Sequence, residues 1–213
     1  MKYRSIIALF LFALLLTCCT SKEEQVTEQY INANLEELFA NTDCSVKVSN
    51  WNKHPIDTIT KDDIYRYYIR KLRGEAEYNR KLRDVCGDLI SSCQDIIRHS
   101  RNLGVSYSWI LDDKRKAERD YSKHNKLYLE ALKSIEALEM KVDGDELFIL
   151  AYPFSVTLTT HDEFLEQDVT SQVSCYSYIK IATDEVIAIL FGDEYERDLS
   201  MIPLSLVLDD EDW

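Results

Sequence analysis

The chain has 213 residues, 46% hydrophobic and 30% charged, with only 5 Gly and 3 Pro, a composition that excludes disordered and collagen-like classes. That length suits one compact domain or two small ones. Its 38 acidic and 25 basic residues leave a net charge of -13, which argues against generic nucleic-acid binding and makes a basic partner the easier complement.

At the N-terminus Lys2 and Arg4 precede an unbroken, mostly apolar stretch, Ser5 to Leu16. At about a dozen residues it matches a secretory h-region and falls short of the roughly 20 needed to span a bilayer. The expectation is a signal peptide, residues 1–18, that is removed. Leu15-Leu16-Thr17-Cys18-Cys19 resembles the lipobox of bacterial lipoproteins. The resemblance implies cleavage just before a cysteine whose thiol carries a diacylglyceryl group, and a membrane contact made through that lipid. Two registers fit, on Cys18 or Cys19, and neither has the family's usual Gly, Ala or Ser immediately before the cysteine. Cys19 has the smaller preceding pair, Thr17 and Cys18, and is the preferred lipidation site; Cys18 is the alternative. A retained disulfide at this pair would require the segment to survive cleavage. Each buried methylene contributes about 0.8 kcal/mol, so two or three acyl chains hold a domain at a membrane nearly permanently. Thr20-Ser21-Lys22-Glu23-Glu24 resembles a surface-export tag of diderm lipoproteins, although a charged tether has the same composition. The expected location is the outer membrane, lipid-anchored, with the domain periplasmic or surface-exposed.

Residues 19–59 read as a tether, a short amphipathic helix within 22–40, and a connector from 41 that is rich in turn formers, including His54-Pro55. Thr60-Lys61-Asp62-Asp63 supplies a capping box. From there Ile64, Tyr68, Leu72, Leu82, Val85, Leu89, Cys93, Ile96 and Leu103 recur at 3/4 spacing, and Gly104 ends the run. A second run follows through Ile110, Lys114, Ala117, Tyr121, His124, Tyr128, Ala131, Ile135 and Leu138. No proline lies between Pro55 and Pro153, as two long helices require. The prediction is an antiparallel helical hairpin within 60–141, with arms 61–103 and 106–141, and with Gly74 and Gly87 as points of bending in the first arm.

Residues 142–213 change character. Leu147 to Tyr152, Phe154 to Leu158, Val173 to Ala182, Glu185 to Phe191 and Ile202 to Leu208 are rich in β-branched and aromatic residues and read as strands, with Thr183-Asp184 closing a hairpin. Thr160 to Glu163 has the pattern of a short helix start. The predicted class is α+β: a long antiparallel helical hairpin followed by a small antiparallel sheet packed on it. Charge follows this division. Residues 60–141 carry 18 basic and 14 acidic side chains, whereas 142–213 carry 2 and 17. Either the two parts attract each other or the acidic part faces a basic ligand.

With Cys18 lost and Cys19 lipidated, Cys44, Cys86, Cys93 and Cys175 remain, and an even number in an exported chain suggests disulfides. Cys86 and Cys93, two turns apart on one helix, are separated by about 10.5 Å and cannot pair. The bridges would then join Cys44 and Cys175 to the two helix cysteines; four buried thiols are the alternative. Folding at Gly104 sets His124 near Cys86, yet no close-spaced ligand pair accompanies them, so a hydrogen-bonded core histidine is expected and no metal. His161-Asp162-Glu163 offers acid/base groups without a convergent motif. No phosphate-binding or dinucleotide motif is present, and no cofactor is expected. The acidic end, Asp209 to Trp213, reads as a solvated tail, and the 13 Tyr could furnish a recognition face. The functional expectation is a membrane-anchored, non-enzymatic binding or interaction module of the envelope or surface. The alternatives are an immunity or inhibitor lipoprotein that neutralises a basic toxin or enzyme, and an envelope hydrolase using His161.

Overall fold

The computed structural model describes residues 21–39, 44–144, 146–162 and 167–208. Cys18, Cys19, the 163–166 segment and the acidic end from Asp209 lie outside these. The fold is α+β, with a long helical pair and a five-stranded antiparallel sheet, and it divides into two units.

The sheet unit begins with α1 (Lys22–Ala33), whose first N–H groups are capped by Ser21, the Glu24 amide donating to Ser21 Oγ at 3.1 Å. Asn34 breaks the helix, its side-chain amide donating to the Tyr30 carbonyl at 2.8 Å, and α2 (Leu35–Phe39) follows. The stretch expected to be a connector instead contains two strands, β1 (Cys44–Ser49) and β2 (Asp57–Thr60). In β1 the alternation Val46, Val48 against Ser45, Lys47, Ser49 turns its valines to one face, and Val48 joins the core. Both strands pair antiparallel with β3 (Leu147–Asp162), β2 along its first part and β1 along its second. β4 (Gln167–Lys180) and β5 (Glu185–Phe191) complete the sheet beyond β3.

Pro153 sits inside β3, joining two segments that the sequence suggests as separate strands. In an antiparallel ladder a residue's N–H and C=O point to the same neighbour. The Pro153 carbonyl accepts from the Asn52 amide at 3.1 Å, so its missing N–H faces the arch between β1 and β2, and no bond to β4 is lost. Thr160 to Asp162, expected to start a helix, extend β3 instead: β-branched Thr159 and Thr160 stand opposite Thr170 and Val169. Ile202 to Leu208, expected to be a strand, winds as 3₁₀ turns (Leu199–Met201 and Leu204–Leu206) around Pro203, which cannot donate to a ladder. Ile202 and Val207 from this segment are nevertheless buried.

The hairpin unit consists of α3 (Lys61–Asn102) and α4 (Ser108–Glu139). α3 runs unbroken through Gly74 and Gly87. It stops at Gly104, whose φ of +68° completes a Schellman cap: the Val105 amide donates to the Ser100 carbonyl at 2.9 Å and the Gly104 amide to the Arg101 carbonyl at 3.2 Å. At the open end Gly144 N–H donates to Asp62 Oδ1 at 3.4 Å, and Arg73 meets Glu139 at 2.6 Å.

α4 turns the expected face inward: Ile110, Ala117, Ala131, Ile135 and Leu138 are buried. α3 does so only in part: Ile64 and Cys93 of the predicted stripe are buried, together with Tyr65, Ile69, Ala76 and Ile97, while Val85, Leu89, Ile96 and Leu103 of that stripe are 63%, 48%, 40% and 63% exposed, as is Tyr78 at 62%. At Gly87 the two helices approach closely: an added Cβ would stand in ordinary contact, 3.7 Å from the Tyr121 ring of α4.

Candidate functional site

Among the described residues of the sheet unit, two polar networks and a groove stand out. On one face α1 is fixed by a buried hydrogen bond, Thr27 Oγ1 to Ser177 Oγ at 2.9 Å, and by Ile31 packing with Val48, Phe154, Val156, Cys175 and Ile189. Trp51 stacks on Tyr152 with centroids 5.4 Å apart, and its buried indole N–H has no hydrogen-bond partner.

On the opposite face, set by strand alternation, lie Tyr176 and Tyr178 of β4 and Asp57 of β2. Small, fully buried Ala151 of β3 stands between Asp57 and Tyr178, leaving room for a third tyrosine. Tyr195 donates to Asp57 Oδ2 at 2.7 Å and lies 3.3 Å from the Tyr178 hydroxyl, while its ring meets Tyr176 edge-on at 5.1 Å. Arg197 closes the network, with Nε 3.2 Å from Asp57 Oδ2 and Nη2 donating to the Thr58 carbonyl at 3.1 Å. Burial, first of all, pushes the Tyr195 hydroxyl well above the ordinary tyrosine range, and its bonds to Tyr178 and Asp57 act the same way. A phenol held neutral as a donor is no nucleophile or base at neutral pH; this network latches the 193–198 segment onto the sheet.

The groove lies where α1, the β4–β5 turn and the final 3₁₀ turns meet. It has a volume of about 650 Å³. Val26, Tyr30, Val186, Met201, Pro203 and Leu206 give it apolar walls, and the charged residues lining it are Asp184, Glu185 and Lys180. Asp184 holds φ +56° in the tight turn, its amide donating to the Lys180 carbonyl at 2.8 Å. Its carboxylate already pairs with Lys22, which raises the pKa of that ammonium through the hydrogen bond and the charge of Asp184.

The sequence-named residues are placed as follows. His124 Nδ1 lies 2.9 Å from Asn79 Oδ1, the hydrogen-bonded histidine expected. Among the described residues no cluster of three or more His, Cys, Asp or Glu is arranged to hold a metal ion. Cys86, Cys93 and Cys175 are free thiols, Cys93 packed with Ile97 and Ile110 and Cys175 in the sheet core. Burial pushes the Cys175 thiol up to about 12. The side chains of Cys44 and His161 lie outside the described residues; the backbone of His161 pairs with Asp168 on β4. The groove and the Asp57–Tyr195–Arg197 network were not foreseen. The alternation of Tyr176 and Tyr178 was the available signal for the network, and nothing local marked the groove, whose walls come from three distant segments. Among the described residues no helix is long and apolar enough to cross a membrane. No match was found when the chain was compared with protein-family models, curated proteins and solved structures.

Proposed function

We propose that the chain is a lipid-anchored envelope lipoprotein that acts as a non-enzymatic binding module, taking a basic segment of a protein partner into the groove of its sheet unit. The observation that carries this reading is a groove with apolar walls at which Asp184 already holds one ammonium, that of Lys22, with Glu185 and Lys180 beside it. The wider surroundings agree with it: residues 142–213 hold 17 acidic and 2 basic side chains, a field that concentrates cations and speeds their encounter. Cys19 supplies the tether, with Cys18 as the alternative residue. A neutralising role against a basic toxin or enzyme would use the same groove and differ only in the owner of the bound segment.

The test places a photo-cross-linking side chain at Tyr30 in the full-length, lipidated protein in intact cells and sequences the captured segment. The expected result is a Lys- or Arg-rich peptide, captured less efficiently when salt shortens the Debye length below about 8 Å and lost in D184K/E185K. Capture of an acidic or wholly apolar segment, or capture insensitive to salt and to that double substitution, would overturn the reading.

A further inference from the structure

The exposed face of α3 has a period of its own. Tyr78, Leu82, Val85, Leu89, Ser92, Ile96, His99 and Leu103 alternate steps of four and three over 26 residues, about 39 Å of helix at 1.5 Å per residue. Six of the eight are apolar. This is the 3.5-residue spacing of a coiled-coil seam, and it is distinct from the face that meets α4, where Tyr65, Ile69, Ala76, Cys93 and Ile97 are buried. Leu82 is half-buried, and the other five apolar members carry the exposures given above.

We propose that this seam pairs with the same seam of a second copy, the two α3 helices running parallel. A narrow seam of heptad period fits another helix, whereas a helix lying in a lipid surface needs a wide apolar face bordered by basic residues. Here the border carries Asp88 and Asp95 beside Lys81. Those borders also choose the direction. In a parallel pair Leu82, Leu89, Ile96 and Leu103 each meet their own copies, and Lys81 and Asp95 face Cys86 and Ser100 of the other helix, neither of them charged, while the Cys93 position opposite Asp88 is covered by α4. In the antiparallel register that overlaps the full seam, Asp88 faces Asp95, and like charges in that position are unfavourable.

Area sets the strength. At roughly 100 Å² of exposed surface each, the five exposed apolar side chains offer on the order of 500 Å² per copy, against about 800 Å² per partner in a standard interface. The dimer is therefore weak in dilute solution. Confinement of both copies to one membrane raises their effective concentration and favours it.

The experiment expresses two differently tagged full-length copies in one cell and measures co-capture after mild solubilisation. Wild type and L129D, a substitution at an exposed leucine of α4 outside the seam, should co-capture equally. L89D/I96D should reduce co-capture by at least about tenfold; both positions face water, and an unchanged thermal melt confirms the fold. A photo-cross-linking side chain at Val85 should react with residues 82–89 of the other copy. Retained co-capture in L89D/I96D, or cross-links to residues 92–99, to lipid or to unrelated proteins alone, would overturn the proposal. These outcomes are read on the hairpin and leave the groove reading untouched.

Discussion

Thr27 and Ser177 are 150 residues apart, both are fully buried, and their hydroxyls are 2.9 Å from each other. Thr27→Val keeps the shape of α1's buried face and strands the Ser177 hydroxyl away from water. A buried polar group left without its partner costs about 1–3 kcal/mol. Ser177→Ala does the same to Thr27 and should cost a similar amount. The double variant leaves neither hydroxyl behind, and replacing both partners by apolar groups is close to neutral. The cycle should therefore show a coupling of at least about 1 kcal/mol, with the double variant more stable than either single one. Urea unfolding followed by the fluorescence of Trp51, which stacks within the same sheet unit, in a Trp109→Phe/Trp213→Phe background, reads this directly. The midpoint should shift without a change in slope. If the double variant loses the sum of the two single losses, to within about 0.3 kcal/mol, the hydroxyls do not act on each other and the account of how α1 is held fails.

Gly104→Ala places a Cβ on a residue at φ +68° and should cost about 1 kcal/mol, seen as a lower midpoint in a far-ultraviolet circular dichroism melt. Alkylation of the native protein near pH 8 should modify half-buried Cys86 and spare Cys175 until the protein is unfolded; rapid labelling of Cys175 would contradict its burial. The folded-state pKa of that thiol is raised above its ordinary value of 9.0 to about 12, so the unfolded chain loses this proton first as pH rises. Stability should be unaffected by this group below about pH 9 and should fall above it by up to about 1.4 kcal/mol per pH unit until about pH 12. Cys175→Ala should flatten that part of the profile, with Tyr152, Tyr178 and Tyr195, also raised by burial, among the groups that contribute to what remains. Palmitate labelling should vanish in Cys19→Ser and persist in Cys18→Ser; the reverse result would move the anchor to Cys18.

The helical hairpin was legible because its signals are local: 3/4 spacing, a capping pattern at Thr60, a glycine at 104 and no intervening proline. The packing face of α3 was not legible from hydrophobicity. Two apolar stripes share that helix, and the one with the larger side chains, Val85, Leu89, Ile96 and Leu103, reads as the stronger core candidate. The winning stripe mixes Ala76 and Cys93 with Tyr65, Ile69 and Ile97, a composition that hydrophobicity alone does not rank above the other. Strand β1 escaped notice because its inward valines alternate with Ser and Lys and sit among Asn and Pro residues. In the opposite direction, Ile202 to Leu208 looked like a strand by composition, and Pro203 decided against it. The groove was illegible for a third reason. Its walls come from α1, from the β4–β5 turn and from the residues around Pro203, so no window of sequence holds more than a part of it.

The placement of the hairpin in the chain also constrains how the protein is made. β2 ends at Thr60 and β3 starts at Leu147, and these two residues stand side by side in the ladder. Strands β1 and β2 are thus synthesised before a helical insertion of 86 residues and have no neighbour until β3 follows. A disordered loop of that length would bear a substantial closure entropy. A hairpin that folds on its own local contacts returns its two ends to the same place first, and helices form faster than long-range strand pairs. The insertion then serves the nascent sheet as a clamp, delivering Leu147 to Thr60 and shortening the time for which the edges of β1 and β2 stand open to the wrong partner.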